Sequence, residues 1–249
     1  MSRKIGYAFL CKKGKVRSKN QDNYWCMGDF LPQINEGLQR TITGEIKLKE
    51  TKGAFCVFDG MGGEAAGEVA SSISATTFNN IYKSVLDLDF QSIADMCYIM
   101  NRNVCRFAQR HNIQCMGTTA AMLLFEQKSV YACNLGDSQI FLLRGNKLQK
   151  ISVDHVALGT IFKKPPLTQH LGIPKDEFKI DPYIVSFKIK KGDRFLICSD
   201  GLTDMLEQDD IEAFLFETHN IEDCVNDMME LVYARGAVDN TTIVLCEVR

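Results

Sequence analysis

One apolar run in the sequence ends at an aspartate and leads into a glycine-rich stretch. The run occupies residues 54–58 (AFCVF), Asp59 follows directly, and GMGGEAAG comes next. This pattern predicts a buried strand that carries one carboxylate at its end, beside a loop whose small residues cannot cover it. A buried charge is costly unless something pairs with it, so Asp59 is expected to have a partner supplied by the rest of the chain.

Four further aspartates stand in similar contexts. Asp22 precedes an apolar segment in RSKNQD, Asp137 lies between two apolar segments in NLGDSQ, Asp200 ends the run FLICSDG, and Asp239 precedes the last apolar run in AVDNTTIVL. Any one of them alone is better explained as a turn or cap residue. Two buried strands that both end in Asp-Gly argue for more, because converging carboxylates repel one another unless cations lie among them.

The types of ligand available select the metal. Carboxylates and backbone carbonyls suit Mg²⁺ or Mn²⁺, and no histidine or cysteine stands beside the aspartates in the sequence. Two such ions about 3.5–4 Å apart can activate a water molecule and hold a phosphoryl group for in-line attack. Arg17, which precedes Asp22, could bind phosphate oxygens with its guanidinium fork, although alone it would be an ordinary surface arginine.

Hydrophobic patterns place these residues among strands and helices that come in separate groups. Strands are predicted at 5–11, 23–28, 54–58, 117–125, 129–134, 139–143, 147–151, 184–189, 194–198 and 241–248, and helices at 64–83, 90–110, 208–218 and 221–234. Residues 31–52 predict an excursion, with a hairpin turn near Thr43-Gly44. Short turns favour antiparallel pairing, so we expect an α+β fold with two antiparallel sheets and helices outside, in one domain spanning 1–249.

Composition excludes several classes of protein. Of the 249 residues, 45% are hydrophobic and 24% charged, and the net charge of −2 gives no sign of a nucleic-acid partner. No stretch has the length or apolar character of a signal peptide or a membrane span. The ten cysteines form no CxxC pair and lie mostly in apolar runs. They predict reduced, buried thiols in a cytoplasmic protein.

Six segments, in order, resemble the metal-dependent serine/threonine protein phosphatases of the PPM (type 2C) family. They are RSKNQD, VFDGMGGEAAGEVAS, MGTTAAMLLF, CNLGDSQIFLL, LICSDGLTDML and DNTTIVL, within a resemblance that spans Gly6 to Val248. Each segment alone is weak, but six in order are specific, and they are most similar to the compact bacterial members. The resemblance implies a central β-sandwich flanked by pairs of helices, with the metal ions at one edge.

The resemblance also implies a role for each aspartate. Asp59 would bridge two catalytic Mn²⁺ or Mg²⁺ ions, and the carbonyl of Gly60 would bind one of them. Asp200 and Asp239 would hold the other ion, while Asp22 would act around the first, partly through water.

Two further positions and the reaction follow from the same resemblance. Asp137, together with Asp200, matches the place where bacterial members bind a third ion, and Arg17 matches the phosphate-binding arginine. The activity implied is hydrolysis of phosphoserine and phosphothreonine on proteins by a metal-activated water, without a covalent enzyme intermediate. The protein would be a monomer that opposes a bacterial serine/threonine kinase on phosphorylated proteins.

Three departures from the family pattern stand out. Gln21 replaces the glutamate that many animal members have, and Met61 replaces the histidine proposed to protonate the leaving group. The segment that corresponds to the flap beside the active site, about residues 155–170, is shortened. Its Lys163 and Lys164 could meet an acidic phosphopeptide, although a solvated loop is the simpler interpretation.

Three other interpretations carry less weight. Gly60 to Ala65 fits GxGxxA of a nucleotide-binding turn, but Asp59 would repel the pyrophosphate and the later pattern is not βαβ. A phosphatase of the haloacid dehalogenase type needs a DxD motif that the segment ending at Asp200 lacks. A pseudophosphatase that binds phosphoproteins without turnover should have lost metal ligands, whereas the three principal aspartates remain.

Overall fold

A computed structural model describes residues 3–61, 66–159 and 164–249 of the chain. The strands are β1 (Lys4–Lys12), β2 (Asp22–Cys26), β3 (Ile42–Lys47), β4 (Gly53–Met61), β5 (Gly117–Thr118), β6 (Ala120–Glu126), β7 (Ser129–Leu135), β8 (Gln139–Arg144), β9 (Lys147–Lys150), β10 (Tyr183–Lys188), β11 (Arg194–Cys198) and β12 (Thr241–Val248). The helices are α1 (Gly67–Tyr82), α2 (Phe90–Arg110), α3 (Asp200–Thr203), α4 (Gln208–Glu217) and α5 (Ile221–Ala234).

The strands form two antiparallel sheets that face each other. The first sheet has the order β3-β1-β12-β11-β8-β9, and the second has β10-β7-β6-β4-β2, with β5 paired to the end of β4. A buried apolar layer joins their inner faces, in which Phe9 and Phe195 of the first sheet meet Phe55 and Phe125 of the second. Full burial of one such side chain stabilises the fold by about 1.5–3 kcal/mol relative to exposure.

Helices cover the outer faces of both sheets. Phe78 of α1 and Met96 of α2 pack against the second sheet, while helices α4 and α5 pack their buried residues against the first. The apolar stripe of α2 faces inward, and Asp89 and Ser92 close its N-terminus with a reciprocal capping box. Four layers result, helix–sheet–sheet–helix, and the predicted α+β sandwich is confirmed.

The predicted hairpin turn at Thr43-Gly44 is wrong. Both residues lie inside β3, which pairs with β1 so that Gly44 stands opposite Tyr7. A Cβ atom at Gly44 would lie 2.3 Å from the Tyr7 ring, so this glycine serves a close approach between strands. The second strand also ends earlier than predicted, at Cys26, because Met27 and Gly28 both adopt positive φ in the turn that follows.

The segment predicted to be a shortened flap, about residues 155–170, is described on either side of residues 160–163. A bridge between Val156 and Leu167 joins its two arms. The carbonyl of Pro166 accepts from the amide of Ala157 at 3.0 Å, and the Thr168 amide donates to the carbonyl of His155 at 2.8 Å. The predicted start of the first helix at Glu64, and Lys163 of the flap, lie outside the described residues.

The cysteines and the helices can be compared with the expectations drawn from composition. The ten cysteines are all free, and most of them are buried, as the apolar context of their positions predicts. Within the described ranges, no helix combines the length and apolar character that crossing a bilayer requires.

Candidate metal centre

Antiparallel pairing brings the aspartates to one end of the sandwich. Asp22 begins β2 and stands opposite Asp59, near the end of β4, in the register of the two strands. In the other sheet, β11 ends just before Asp200 and pairs with β12, which begins just after Asp239. Because neighbouring strands run in opposite directions, the start of one lies beside the end of the next.

Six of the seven predicted site residues line one cavity of about 480 Å³ at this end. They are Arg17, Asp59, Gly60, Asp137, Asp200 and Asp239. Met61, Thr119 and the flap segment Lys164–Leu167 complete much of the wall. Asp22 does not line the cavity, and lies buried behind it.

The Asp59 carboxylate lacks a compensating partner among the described residues. Its backbone is fixed by Thr119, whose hydroxyl accepts from the Asp59 amide at 3.0 Å, and by Thr118, whose hydroxyl donates to the Asp59 carbonyl at 2.9 Å. The Asp59 side chain makes no hydrogen bond or ion pair with any residue that the structure describes. Burial, followed by the charges of Asp200 and Asp22, raises its pKa well above the ordinary value.

Asp22 is compensated by hydroxyl groups instead of cations. Ser199, which directly follows β11, and Thr242, in β12, both donate to Asp22 Oδ2, at 2.8 and 2.7 Å. Burial raises the pKa of Asp22 to about 7, although these two hydrogen bonds act in the opposite direction. Since Asp22 belongs to the second sheet and its donors to the first, this contact fixes the relative position of the two sheets at the site.

Two cationic side chains compensate Asp239 and Asp200. Arg17 donates to Asp239 Oδ2 at 2.5 Å. The Lys164 ammonium contacts Asp200 and lies 3.6 Å from Asp239 Oδ2. Burial opposes the charge of Lys164, but attraction from Asp200 outweighs it and the pKa of Lys164 is raised. Burial and the charge of Asp200 raise the pKa of Asp137 to about 6.

The sequence pattern at Lys164 suggested a solvated loop, or a contact with an acidic phosphopeptide, and did not place this lysine beside Asp200. The sequence feature that could have indicated this position of Lys164 is the Lys-Lys-Pro-Pro stretch within the predicted flap. A contact between this loop and strand ends distant along the chain depends on the path of the flap, which local patterns do not determine.

Gly60 occupies a position that a larger residue cannot fill. A Cβ atom there would lie 2.2 Å from the carbonyl oxygen of Gly67 and 2.5 Å from that of Gln21. The Gln21 amide in turn donates to Glu68 at 3.2 Å, and Lys19 pairs with the same carboxylate at 2.5 Å. An amide at position 21 therefore suits the carboxylate of Glu68, where a second carboxylate would repel it.

The donor set fits hard divalent cations. The aspartates lining the cavity and the Gly60 carbonyl offer oxygen ligands alone, which suits Mg²⁺ or Mn²⁺ with water completing the coordination. The uncompensated carboxylate of Asp59 supplies the negative charge that such an ion would neutralise. Among the described residues, no group of three or more acidic, histidine or cysteine side chains is arranged so that it could hold a metal ion directly. Asp200 and Asp239 are engaged by Lys164 and Arg17.

Comparison with known proteins agrees with this class of site. The family model for protein phosphatase 2C matches residues 45–233. The serine/threonine phosphatase stp of Listeria welshimeri is 25% identical over 96% of this chain and 94% of its own length. The serine/threonine protein phosphatase PstP of Mycobacterium tuberculosis is 26% identical over 98% of this chain and 45% of its own length.

A solved structure shares the fold over almost the whole chain. It is the catalytic domain of serine threonine protein phosphatase PstP in complex with two manganese ions, with a TM-score of 0.79, 24% identity and 99% coverage of both chains. At this identity the likeness concerns the fold.

The match to the family model covers well over half of the chain. The sandwich with its acidic end thus defines a phosphatase of the metal-dependent class. The chain belongs to the protein phosphatase 2C family, as the resemblance in its sequence indicated, and is a protein-serine/threonine phosphatase by membership.

Proposed function

We propose that the chain hydrolyses phosphoserine and phosphothreonine on proteins at the centre formed by Asp59, Asp200 and Asp239. The observation that carries the proposal is the convergence of these carboxylates, together with Arg17, on one cavity of about 480 Å³. An excess of acidic oxygen ligands beside a guanidinium group suits a site where divalent cations and a phosphate group bind together.

We assign the metal ligands as the family pattern suggests. Asp59 and the Gly60 carbonyl would hold one ion, with Asp59 shared between both. Asp200 and Asp239 would hold the second. Asp22, turned toward Ser199 and Thr242, would act on the first ion indirectly and keep the two sheets in place.

The identity and number of the ions belong to the same proposal. Two observations favour Mn²⁺: the PstP structure contains two manganese ions, and the ligands offered here are oxygen atoms. Mg²⁺ could bind to the same oxygen ligands. Asp137 faces the cavity near Asp200, and burial and that neighbouring charge raise its pKa. These two carboxylates could hold a third ion.

The chain's own residues would bind and orient the phosphate. Bound ions supply a water of lowered pKa and positive charge for the phosphoryl oxygens. Of the described residues, Asp239 alone pairs with the Arg17 guanidinium, which leaves further N–H groups for phosphate oxygens. Met61 also lines the cavity but has no proton to donate, so the departing serine or threonine oxygen would take its proton from solvent.

The proposed substrates, opposing enzyme and location rest on the relatives and on the cysteines. Substrates would be phosphorylated proteins, and the activity would oppose a bacterial serine/threonine kinase, since the relatives named above are bacterial serine/threonine phosphatases. We propose a monomer in the cytoplasm, where the mostly buried thiols of the chain would stay reduced.

A phosphothreonine peptide assay tests the proposal. With millimolar Mn²⁺ we expect release of phosphate that a chelator abolishes. Asp59→Asn should lower kcat/KM by about 100-fold or more while circular dichroism stays unchanged, because the shared ligand loses its charge. Asp29→Asn, at an aspartate outside the cavity lining, is the control and should keep its activity.

Absence of turnover on every phosphopeptide and aryl phosphate would contradict the proposal. If the protein then still bound phosphopeptides, the pseudophosphatase interpretation would take its place. Calorimetry with a phosphothreonine peptide separates these two outcomes.

A further inference from the structure

The positively charged side chain of Lys164 lies among the aspartates at the acidic end of the sandwich. Its ammonium contacts Asp200 and lies 3.4 Å from Asp204 Oδ2 and 3.6 Å from Asp239 Oδ2. The Lys164 side chain is 52% exposed, whereas those of Asp200 and Asp239 are only 12% and 16% exposed. The long stem therefore reaches in from the surface while the carboxylates sit in the wall of the cavity.

The backbone beyond Lys164 holds it within reach of these carboxylates. Pro165 and Pro166 follow it, and a proline restricts both its own φ and the conformation of the residue before it. Pro166 and Leu167 are tied to the other arm of the flap through Ala157 and Val156. The ammonium is consequently confined near the site and has a high local concentration there.

The ammonium and a divalent ion would need the same oxygens. Lys164 approaches Asp200 and Asp239 through their Oδ2 atoms, and Asp239 Oδ2 also accepts from Arg17. A carboxylate oxygen that points at an ammonium cannot coordinate an ion at that same position. A divalent ion also repels a cation a few ångströms away, since Coulomb repulsion in a partly desolvated site is strong.

We propose that Lys164 is an internal competitor for divalent metal, which neutralises Asp200 and Asp239 in the metal-free protein and must leave them when metal binds. This inference rests on the ligand assignment of the proposed function. Thermodynamic linkage makes the competition reciprocal: Lys164 weakens metal binding at Asp200 and Asp239, and metal binding weakens the hold of these carboxylates on Lys164.

Removing the positive charge of Lys164 tests whether this side chain weakens metal binding. Lys164→Met keeps the apolar stem and removes the ammonium, so we expect it to lower the Kd for Mn²⁺ in calorimetry by about three- to tenfold. The advantage should shrink at high salt, where the charges are screened. Lys164→Arg, which keeps a positive charge, should bind Mn²⁺ close to the wild-type affinity.

A matched control separates this local effect from a change in net charge. Lys47 has a side chain that is 51% exposed and pairs with the exposed Glu50. Lys47→Met removes the same charge at a nearly equal exposure, and should leave the Kd for Mn²⁺ unchanged. An equal gain in both variants would overturn the proposal in favour of a net-charge effect.

Nuclear magnetic resonance of lysine ammonium groups tests displacement directly. The Lys164 signal can be assigned by its loss in Lys164→Met. Titration with Mg²⁺, which is diamagnetic, should shift that signal in step with metal binding, while the Lys47 signal stays in place. A Lys164 signal unmoved at saturating Mg²⁺ would show that the ammonium does not leave the carboxylates, and would overturn the proposal.

The outcomes distinguish this inference from the proposed function. If wild type binds Mn²⁺, Asp59→Asn binds it less tightly, and Lys164→Met has the wild-type Kd, the competitor is refuted while the metal centre stands. If wild type binds no Mn²⁺ at all in calorimetry, the ligand assignment fails and this inference fails with it.

Discussion

At the scale of single residues, the aspartates of the site differ in what compensates their charge. Asp22 accepts from two hydroxyls, Asp239 pairs with Arg17, and Asp200 pairs with Lys164. Asp59 has no such partner among the described residues, and burial raises its pKa. A cation could therefore bind at Asp59 without first breaking a contact, and the same holds for Asp137, whose pKa is also raised by burial.

Met61 is the residue at which this chain departs from members with a histidine in the motif. It ends β4, pairs with Gly117 and lines the cavity. Met61→His would place a general acid at that wall, and should raise turnover of a phosphothreonine peptide by about threefold or more. Aryl phosphates should gain less, because their leaving groups need little protonation. Steady-state kinetics on both substrates at several pH values measure the difference.

Met61→Leu is the control for this substitution, since leucine has similar volume and no ionisable group. It should leave the ratio of peptide to aryl phosphate turnover as in wild type. If Met61→His changes both substrates equally, position 61 has no role in protonating the leaving group.

Single residues also mark what the sequence could and could not predict about the site. Aspartates at the ends of apolar runs follow from local pattern, and six of the seven predicted residues line the cavity. The position of Asp22 behind the cavity depends on contact with Ser199 and Thr242, which lie more than 170 residues further along the chain. Contacts of that range are set by packing, which local patterns do not contain.

At the scale of elements, periodic patterns were predictive and single glycines were ambiguous. Helix α2 matches its predicted range because its apolar stripe and its capping residues agree. Gly44 supports a turn in isolation, yet it lies within β3 and faces the Tyr7 ring. A glycine in the sequence is compatible both with a turn and with the close approach of two strands. Only the pairing of β3 with β1 shows that Gly44 serves the second purpose.

The flap is the element expected to govern substrate choice. Of its described residues, only the short segment Lys164–Leu167 lines the cavity. If the flap is as short as the sequence predicts, it offers few side chains to the residues next to a phosphothreonine. We therefore expect loose sequence preference, with kcat/KM varying within about tenfold across a phosphopeptide library. A sharp consensus at the positions adjacent to the phosphoresidue would contradict this expectation.

At the scale of the whole molecule, the metal centre and the fold depend on each other. The proposed ligands extend from Asp22 to Asp239 and come from both sheets. An unfolded chain scatters them, so metal binds the folded state far more tightly. Conversely, in the folded protein without metal, repulsion from neighbouring carboxylates reduces stability where no cation compensates it, as at Asp59.

This linkage predicts stabilisation of the protein by metal. When free Mn²⁺ is a hundredfold above its Kd, the free energy of unfolding should rise by about 2.7 kcal/mol. In a protein of this size that corresponds to an increase in Tm of about 5–10 °C. Differential scanning fluorimetry with Mn²⁺ and then with excess chelator measures the change. An identical Tm under both conditions would show that the carboxylates do not form one metal site.

Asp59→Asn should stabilise the metal-free protein while it removes most of the gain from Mn²⁺. In chelator at pH 8 its Tm should exceed that of wild type, because a partly buried, uncompensated charge is replaced by a neutral amide. The folded-state pKa of Asp59 is raised, so wild type takes up this proton as the pH falls and the advantage should shrink toward pH 5. Asp200→Asn is a less direct test, since it also breaks the ion pair with Lys164. If Asp59→Asn melts below wild type in chelator at pH 8, the Asp59 carboxylate of wild type must be compensated in the metal-free state. Repulsion between carboxylates would then not explain how the metal centre affects stability.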